Sequence, residues 1–276
     1  MSADHGDCLQ VEQRGAFWFA RLNRPDKRNA LSEPMLAALL QLCDRLQSDA
    51  DARALVLWGA GGHFCAGADF GRFLELLAAP AAAGEDPIVE HNRRFGMVLE
   101  RLASLPVPTI GVVRGAAMGG GCGLAAVMDH VIATDDATFA LPEVTLGVIP
   151  AQIAPFIARR AGTTRARWLM LSAARLDARA AASAGLVDVV VSASTLQDAV
   201  LDDLRQLAAA EPAALRATRQ LVSRNLELPL AAALDAAALE FARQLRTGAA
   251  QEGIAASRER RAPAWSFTVS DLPEFT

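Results

Sequence analysis

Apolar positions along the chain change rhythm several times, and each change predicts an element. "GAFWFARL" (15–22) is a short apolar run with a polar exit and predicts a strand ending in the loop "NRPDKRNALS". In "LSEPMLAALLQLCDRLQSD", Leu36, Leu39, Leu40, Cys43 and Leu46 recur at helical spacing. Ser32 stands at the N-cap position of that helix, and Pro34 falls in its first turn, where proline is tolerated. "ARALVLWGA" (52–60) predicts a buried strand, and "GGHFCAGADFGRFLELL" a glycine-punctuated loop running into a helix. "APAAAGEDP" (79–87) predicts a mobile surface loop, and "VEHNRRFGMVLERLASL" an amphipathic helix.

"PTIGVVRGA" predicts another strand, followed by "AMGGGCGLAAVMD" (117–129), a glycine run entering a helix that reaches Met128. Short strands at "HVIATD" and "TFAL" lead to the loop "PEVTLGVIPA". Helices at "IAPFIARRAG" and "TRARWLMLSA" precede a last strand in "AGLVDVVV". From about Thr195 to Arg261 the pattern is wholly helical, and the tail "APAWSFTVSDLPEF" is irregular. Strand–helix alternation as far as residue 191 predicts an α/β architecture with parallel strands joined by crossovers. The expected division is a core over 1–195 and a helical region over 196–276, the latter a small domain or an oligomerisation arm.

Composition narrows the class. Of 276 residues, 52% are hydrophobic and 21% charged, which describes a well-cored globular chain. A formal charge of −4 disfavours a general nucleic-acid role. The start "MSADHGDCLQ" has no basic segment followed by an apolar core, and no apolar run approaches the length of a membrane span. The expected location is the cytoplasm. The four cysteines, Cys8, Cys43, Cys65 and Cys122, form no CxxC pair and no Cys/His ligand spacing, so no metal is expected.

The glycines carry the candidate chemistry. Gly123 is followed by Leu124 and Ala125, not by the lysine and hydroxyl of a phosphate loop. A dinucleotide fingerprint begun at Gly119 reaches Leu124 at its sixth place, and one begun at Gly59 reaches Phe64. What survives is a strand-to-helix junction whose first N–H groups lack internal partners and can face a ligand oxygen. Such donors form an oxyanion hole if the oxygen gains charge during reaction. Tight helix packing is the alternative use of the same residues. "HFCAGADF" (63–70) is a second small-residue turn between strand and helix, so two N–H groups could converge.

Four stretches, "NRPDKRNALS", "FCAGADF", "RGAAMGGGCGLAAVMD" and "FALPEVTLGVIP", occur in the order seen in the enoyl-CoA hydratase/isomerase (crotonase) family, which the chain resembles from about Leu9 to Val191. "EGIAASRERRAPAW" resembles that family's C-terminal signature. The resemblance implies a ClpP-like spiral of ββα and βαβ units with a C-terminal helical trimerisation region, assembled as a homotrimer or homohexamer. It implies an acyl-CoA thioester as substrate, with coenzyme A part of the substrate and no separate cofactor. It places the oxyanion donors on the backbone N–H groups of Ala68 and Gly120. Ala66, Ala68, Asp69, Phe70, Gly71, Gly120 and Gly123 would line the substrate, with Arg28 near the CoA nucleotide.

Hydratases of the family typically carry two acids. The later one is present as Glu143, while Gly123 stands at the earlier position. Glu143 alone could hold water, take its proton and return one to the α-carbon, or could shuttle a proton between two carbons, which is isomerisation. A catalytically silent acyl-CoA-binding protein is the non-enzyme alternative. "AQIAPFIARRAG" after "LGVIP", together with Gly123, resembles bacterial methylglutaconyl-CoA and isohexenylglutaconyl-CoA hydratases. A carboxylated substrate would want a cation, for which Arg72, Arg93, Arg94 and Arg114 are candidates. Glu90 and Glu100 could replace the missing acid, with plain surface exposure as the alternative. Cys65 and Cys122 are expected to pack rather than attack. His63 and His91 are read as loop or surface histidines, Asp135 and Asp136 as turn residues, and Trp265 as packing in the core or at an interface.

Overall fold

The computed structural model describes residues 8–78, 86–225 and 228–276, the side chains of Phe70, Arg72, Arg224 and Asn225 excepted. The expected surface loop at 79–87 therefore lies mostly outside the described residues. The main sheet has six strands: β1 (Leu9–Arg14), β2 (Phe17–Leu22), β3 (Ala54–Gly59), β4 (Thr109–Val113), β6 (His130–Thr134) and β9 (Val189–Val191), in that spatial order. A second sheet joins β5 (Ala116–Met118), β7 (Thr138–Ala140) and β8 (Leu176–Asp177). The parallel expectation holds from β2 to β9, with Phe19 beside Val56 and Val56 beside Ile110. It fails at the edges, where β1 is antiparallel to β2 and β8 antiparallel to β7. β1 reads "LQVEQR", an edge strand with exposed polar positions, and its turn to β2 is too tight for a crossover.

Each turn of the chain adds one strand to the main sheet and then one short extended segment that pairs with the next turn. Leu31 bridges Ala68, Cys65 bridges Ala117, and Ala117 sits beside Phe139, all in parallel. This stacking is the expected spiral. Its helices are α1 (Glu33–Ser48), α2 (Phe70–Ala78), α3 (Pro87–Ala103), α4 (Gly120–Ala126), α5 (Ala154–Ala161), α6 (Thr163–Ser172) and α7 (Ala178–Ser183). Ser32 holds the N-cap position of α1 but makes no side-chain capping bond. α4 stops at Ala126, before the expected Met128.

β2, β3 and β4 are buried on both faces, which explains their near-continuous apolar sequence. Trp18, Ala20, Leu22, Leu55 and Leu57 face one core with α1, α3 and α4. Phe17, Phe19, Val56 and Trp58 face a second core, closed by Leu196, Val200 and Leu204 of α8 (Leu196–Ala209). The pattern change at residue 195 thus marks a change of secondary structure, while α8 itself packs on the sheet. α9 (Pro212–Asn225), α10 (Leu230–Leu245) and α11 (Gly248–Glu259) follow. The irregular tail contributes Val269 and Phe275 to the second core. Among the described residues, no helix is long and apolar enough to cross a membrane. Nor, among them, do three or more His, Cys, Asp or Glu side chains gather as a metal site.

Candidate active site

The two glycine turns meet. The Cys65 N–H donates to the Ala116 carbonyl at 3.0 Å, and the Met118 N–H to the Cys65 carbonyl at 2.9 Å. On the other side, the Leu31 N–H donates to the Gly67 carbonyl at 2.8 Å, and the Asp69 N–H to the Leu31 carbonyl at 3.3 Å. Ala68 lies between those two bonds. The Gly119 N–H is used by the Ala140 carbonyl at 2.9 Å. The next N–H, that of Gly120, opens α4. Among the described residues, neither the Ala68 nor the Gly120 N–H has a hydrogen-bond acceptor.

Gly67 and Gly119 make the junction possible. Both have positive φ, +89° and +49°, where a Cβ is strained. An ideal Cβ on Gly67 would also lie 2.6 Å from the Met118 carbonyl oxygen and 3.3 Å from the Gly120 nitrogen. Backbone therefore approaches backbone where the two turns touch. Two such free N–H groups, one in a turn packed against the N-terminus of α4 and one opening that helix, are the kind of donor that can hold an oxygen and stabilise negative charge on it.

Glu143 begins a 3₁₀ turn, Glu143–Leu146, directly after the second-sheet strand β7 and Pro142. Its Oε1 stands 2.7 Å from where a Gly119 Cβ would be, over the peptide that leads into Gly120. Its Oε2 is buried with no hydrogen-bond partner. Burial pushes the carboxyl above the usual carboxylate range, since the charged form is poorly solvated. A carboxyl raised in this way is better suited than an ordinary one to take and return protons.

Other expected residues are held in varied ways. The Ala66 N–H donates to the Arg28 carbonyl at 2.9 Å, while the Arg28 side chain is exposed in the first loop. Asp69 is a structural clasp: Oδ1 accepts from the Gly71 N–H at 3.2 Å, and Oδ2 pairs with Arg24 at 3.0 Å. Phe70 opens α2, its side chain outside the described residues. Gly123, expected along the substrate, lies in the first turn of α4. It is buried, and its missing side chain is replaced by Ile153 and Leu99, which close that position.

The candidate cations are engaged elsewhere. Arg93 pairs with Glu100 at 2.6 Å, and Arg94 with Glu33 at 3.5 Å. Arg114 donates to the Phe275 carbonyl at 2.9 Å and so ties down the tail. The Arg72 side chain lies outside the described residues. Glu90 and Glu100 are exposed on α3. His63 Nδ1 accepts from the Ala116 N–H at 3.2 Å, bracing the turn beside the site. His91 is less exposed than expected: it bonds Glu33 and meets the Phe73 ring edge-on.

Cys65 and Cys122 are buried thiols pushed up to about 12, chiefly by burial, so they pack rather than attack. Asp136 bonds Thr134 in the turn before β7. Trp265 packs within the chain, its indole N–H donating to the Ala209 carbonyl at 3.0 Å.

Sequence reasoning missed three groups. Asn29, fully buried, donates from its amide to the Ala60 and His63 carbonyls at 2.9 and 2.7 Å and binds the first loop to the second. Arg24 reinforces it through Ala30 and Asp69. Gln152 donates to Asn92 Oδ1 at 2.8 Å. An asparagine in a predicted loop carries no signal of this kind, and sixty positions separate Asn92 from Gln152.

Comparisons with known proteins place the family and the fold. The family model for enoyl-CoA hydratase/isomerase matches residues 13–267. The solved enoyl-CoA hydratase/isomerase of Marinobacter aquaeolei is 39% identical and superposes with a TM-score of 0.90, covering 94% of this chain and 99% of its own. Pseudomonas aeruginosa AtuE is 41% identical with a TM-score of 0.90, covering 94% and 100%. The 2,3-dehydroadipyl-CoA hydratase of Escherichia coli is 32% identical over 256 residues, 92% of this chain and 97% of that relative. A crotonase-type α/β spiral is thus the class that fold and matches define. The chain belongs to the enoyl-CoA hydratase/isomerase family, and it is an enzyme of that family.

Proposed function

We propose that the protein adds water to an α,β-unsaturated acyl-CoA, with Ala68, Gly120 and Glu143 as the reacting machinery. The observation that carries this reading is the Glu143 carboxyl, half-buried with one unpartnered oxygen, beside a helix entry that offers a free N–H. The thioester carbonyl oxygen accepts from the Ala68 and Gly120 N–H groups. Glu143 takes a proton from water, and the oxygen of that water bonds to the β-carbon. Electron density moves to the carbonyl oxygen as an enolate held by the two N–H groups. The carboxyl then returns a proton to the α-carbon, completing addition on one face. The carboxylic acid and the enolate are consumed together, and no external reagent is needed beyond water.

Glu143→Gln should lower turnover by about 10²–10⁴-fold, the usual range for a lost acid/base group, while leaving acyl-CoA binding close to wild type. Retained turnover would remove Glu143 from its role. Because Ile153 fills the Gly123 position, a single-carboxyl isomerisation is the second reading. Product formed in ¹⁸O-water separates the two, since hydration incorporates the label and isomerisation does not.

We further infer a branched or glutaconyl-type acyl group, supported by the "AQIAPF" segment and by Gly123, and by the carboxylated acyl group in the name of the E. coli relative. A homotrimer or homohexamer is supported by the apolar side chains that α10 leaves exposed: Leu230, Leu234, Leu239 and Phe241. Sedimentation equilibrium should return three or six times the 29.1 kDa chain mass. A monomer would overturn that assembly.

A further inference from the structure

Addition of water needs more than a base. The attacking water must aim a lone pair at the β-carbon, and it has two O–H bonds to place. Glu143 can accept one, and a second acceptor must fix the other.

The first turn of α4 shows where such an acceptor would stand. Residues three apart on a helix surface are neighbours, so Gly120 and Gly123 share a face of α4, while Gly119 is its non-helical N-cap. Gly119 faces Glu143, Gly120 faces Leu31 and Phe95, and Gly123 faces Ile153. Ile153 therefore covers the face of α4 that Phe95 and Leu99 also meet. Its neighbour Gln152 turns onto α3, where the carboxamide lies against Gly96, next to Phe95. The Gln152 amide donates to Asn92 Oδ1 at 2.8 Å. Asn92 sits almost one turn of α3 before Phe95, beyond the N-terminus of α4, because Phe95 meets Gly120 while Leu99 meets Gly123.

Gly96 is the second mark of a built feature. An ideal Cβ there would fall inside van der Waals contact of the Gln152 carboxamide, so glycine at mid-length of α3 leaves the space in which that carboxamide lies, at a cost in helix propensity. Both residues are half-buried, and neither carboxamide has a fully buried atom without a partner. One hydrogen bond between two carboxamides leaves an amide oxygen and several N–H groups open, whichever way each amide is turned.

We propose that the Asn92–Gln152 carboxamide pair holds the attacking water opposite Glu143. The proposal rests on the hydratase reading above. The pair fixes the second O–H of the water, or its lone pair, through hydrogen bonds and exchanges no proton. Asn92 and Gln152 are thus water-positioning residues, and Glu143 alone carries charge.

Two reactions of the intact protein test this. Hydration of an enoyl-CoA requires the hole, Glu143 and a held water. Exchange of α-hydrogen for deuterium in a saturated acyl-CoA requires the hole and Glu143 only. Asn92→Ala and Gln152→Ala should each lower the kcat of hydration by about a hundredfold, the scale of a misplaced reactant, with KM and α-exchange near wild type. Gly96→Ala, which displaces Gln152 without touching its chemistry, should show the same split, with thermal stability retained. Equal loss of hydration and exchange would show that the pair acts by holding up the site, and would overturn the proposal. Unchanged kcat, or a change confined to KM, would overturn it too. A wild-type enzyme that exchanges α-hydrogen but incorporates no ¹⁸O defeats the hydratase reading itself, a result distinct from any of these.

Discussion

At the scale of single residues, Glu143 and Gly123 have opposite lessons. Glu143 is raised by burial, so the sign of its effects can be worked out. Its folded-state pKa lies above the unfolded one, so its stabilising contribution is complete at low pH and is lost as pH rises through the folded value. Above the folded value the buried charge therefore weakens the fold. Glu143→Gln should melt at a higher temperature than wild type at pH 7, and scanning calorimetry at pH 4 should show that advantage shrink. Turnover has the reverse sense, because the base form is the ionised one: the acid limb of the rate profile should lie above the usual carboxylate range. Gly123 cannot simply be given a carboxylate. Gly123→Glu would drive a charge into Ile153 and Leu99, and overpacking with a buried charge costs about 2 kcal/mol or more. Urea titration should show that loss, with Ile153→Ala relieving part of it.

At the scale of elements, the spiral is held by groups that sequence patterning does not mark. α9 docks through two arginines one turn apart. The Arg216 guanidinium donates to the Ala52 carbonyl at 3.0 Å and to Asp49, just past the end of α1. Arg219, with a side chain only 9% exposed, pairs with Asp129 at 2.7 Å and donates to the carbonyls of Leu102 and Leu105 at the end of α3. These bonds tie α9 to main-chain carbonyls just past the end of α1 and at the end of α3. Arg219→Met should cost about 1–3 kcal/mol in a denaturant titration, because charged donors to partly buried acceptors are lost. Strands were legible in the sequence wherever both faces are apolar, as in "ALVLWG" and "TIGVV". β1 was not, since as an edge it alternates with Gln10 and Glu12 and needs one buried face only. The 3₁₀ turn at Glu143 was read as loop because four residues give no periodicity.

At the scale of the whole molecule, the motifs marked both glycine turns and Glu143 but not how they meet. Convergence depends on the bridges Leu31–Ala68 and Cys65–Ala117, which join residues far apart in the chain. The same limit hid Asn29, Arg24 and the Asn92–Gln152 pair, whose types are ordinary and whose partners are distant. Arg114 illustrates the converse. A lone arginine after a strand invites a substrate role, yet it serves the C-terminal tail, which also sets Phe275 against Trp58 at 5.2 Å. Cutting the chain after Trp265 should therefore expose the outer face of the main sheet and lower the melting temperature, as differential scanning fluorimetry would show.

The free N–H groups of Ala68 and Gly120 belong to the main chain, and that has a consequence for anyone mapping this protein by mutation. No side-chain replacement short of proline deletes either donor. An alanine scan passes over Ala68 without changing an atom. At Gly120 it reports the crowding of Leu31 and Phe95 rather than a lost hydrogen bond. Replacing a single peptide link by an ester, which swaps N–H for oxygen and leaves the outline intact, is the experiment that makes these two atoms visible.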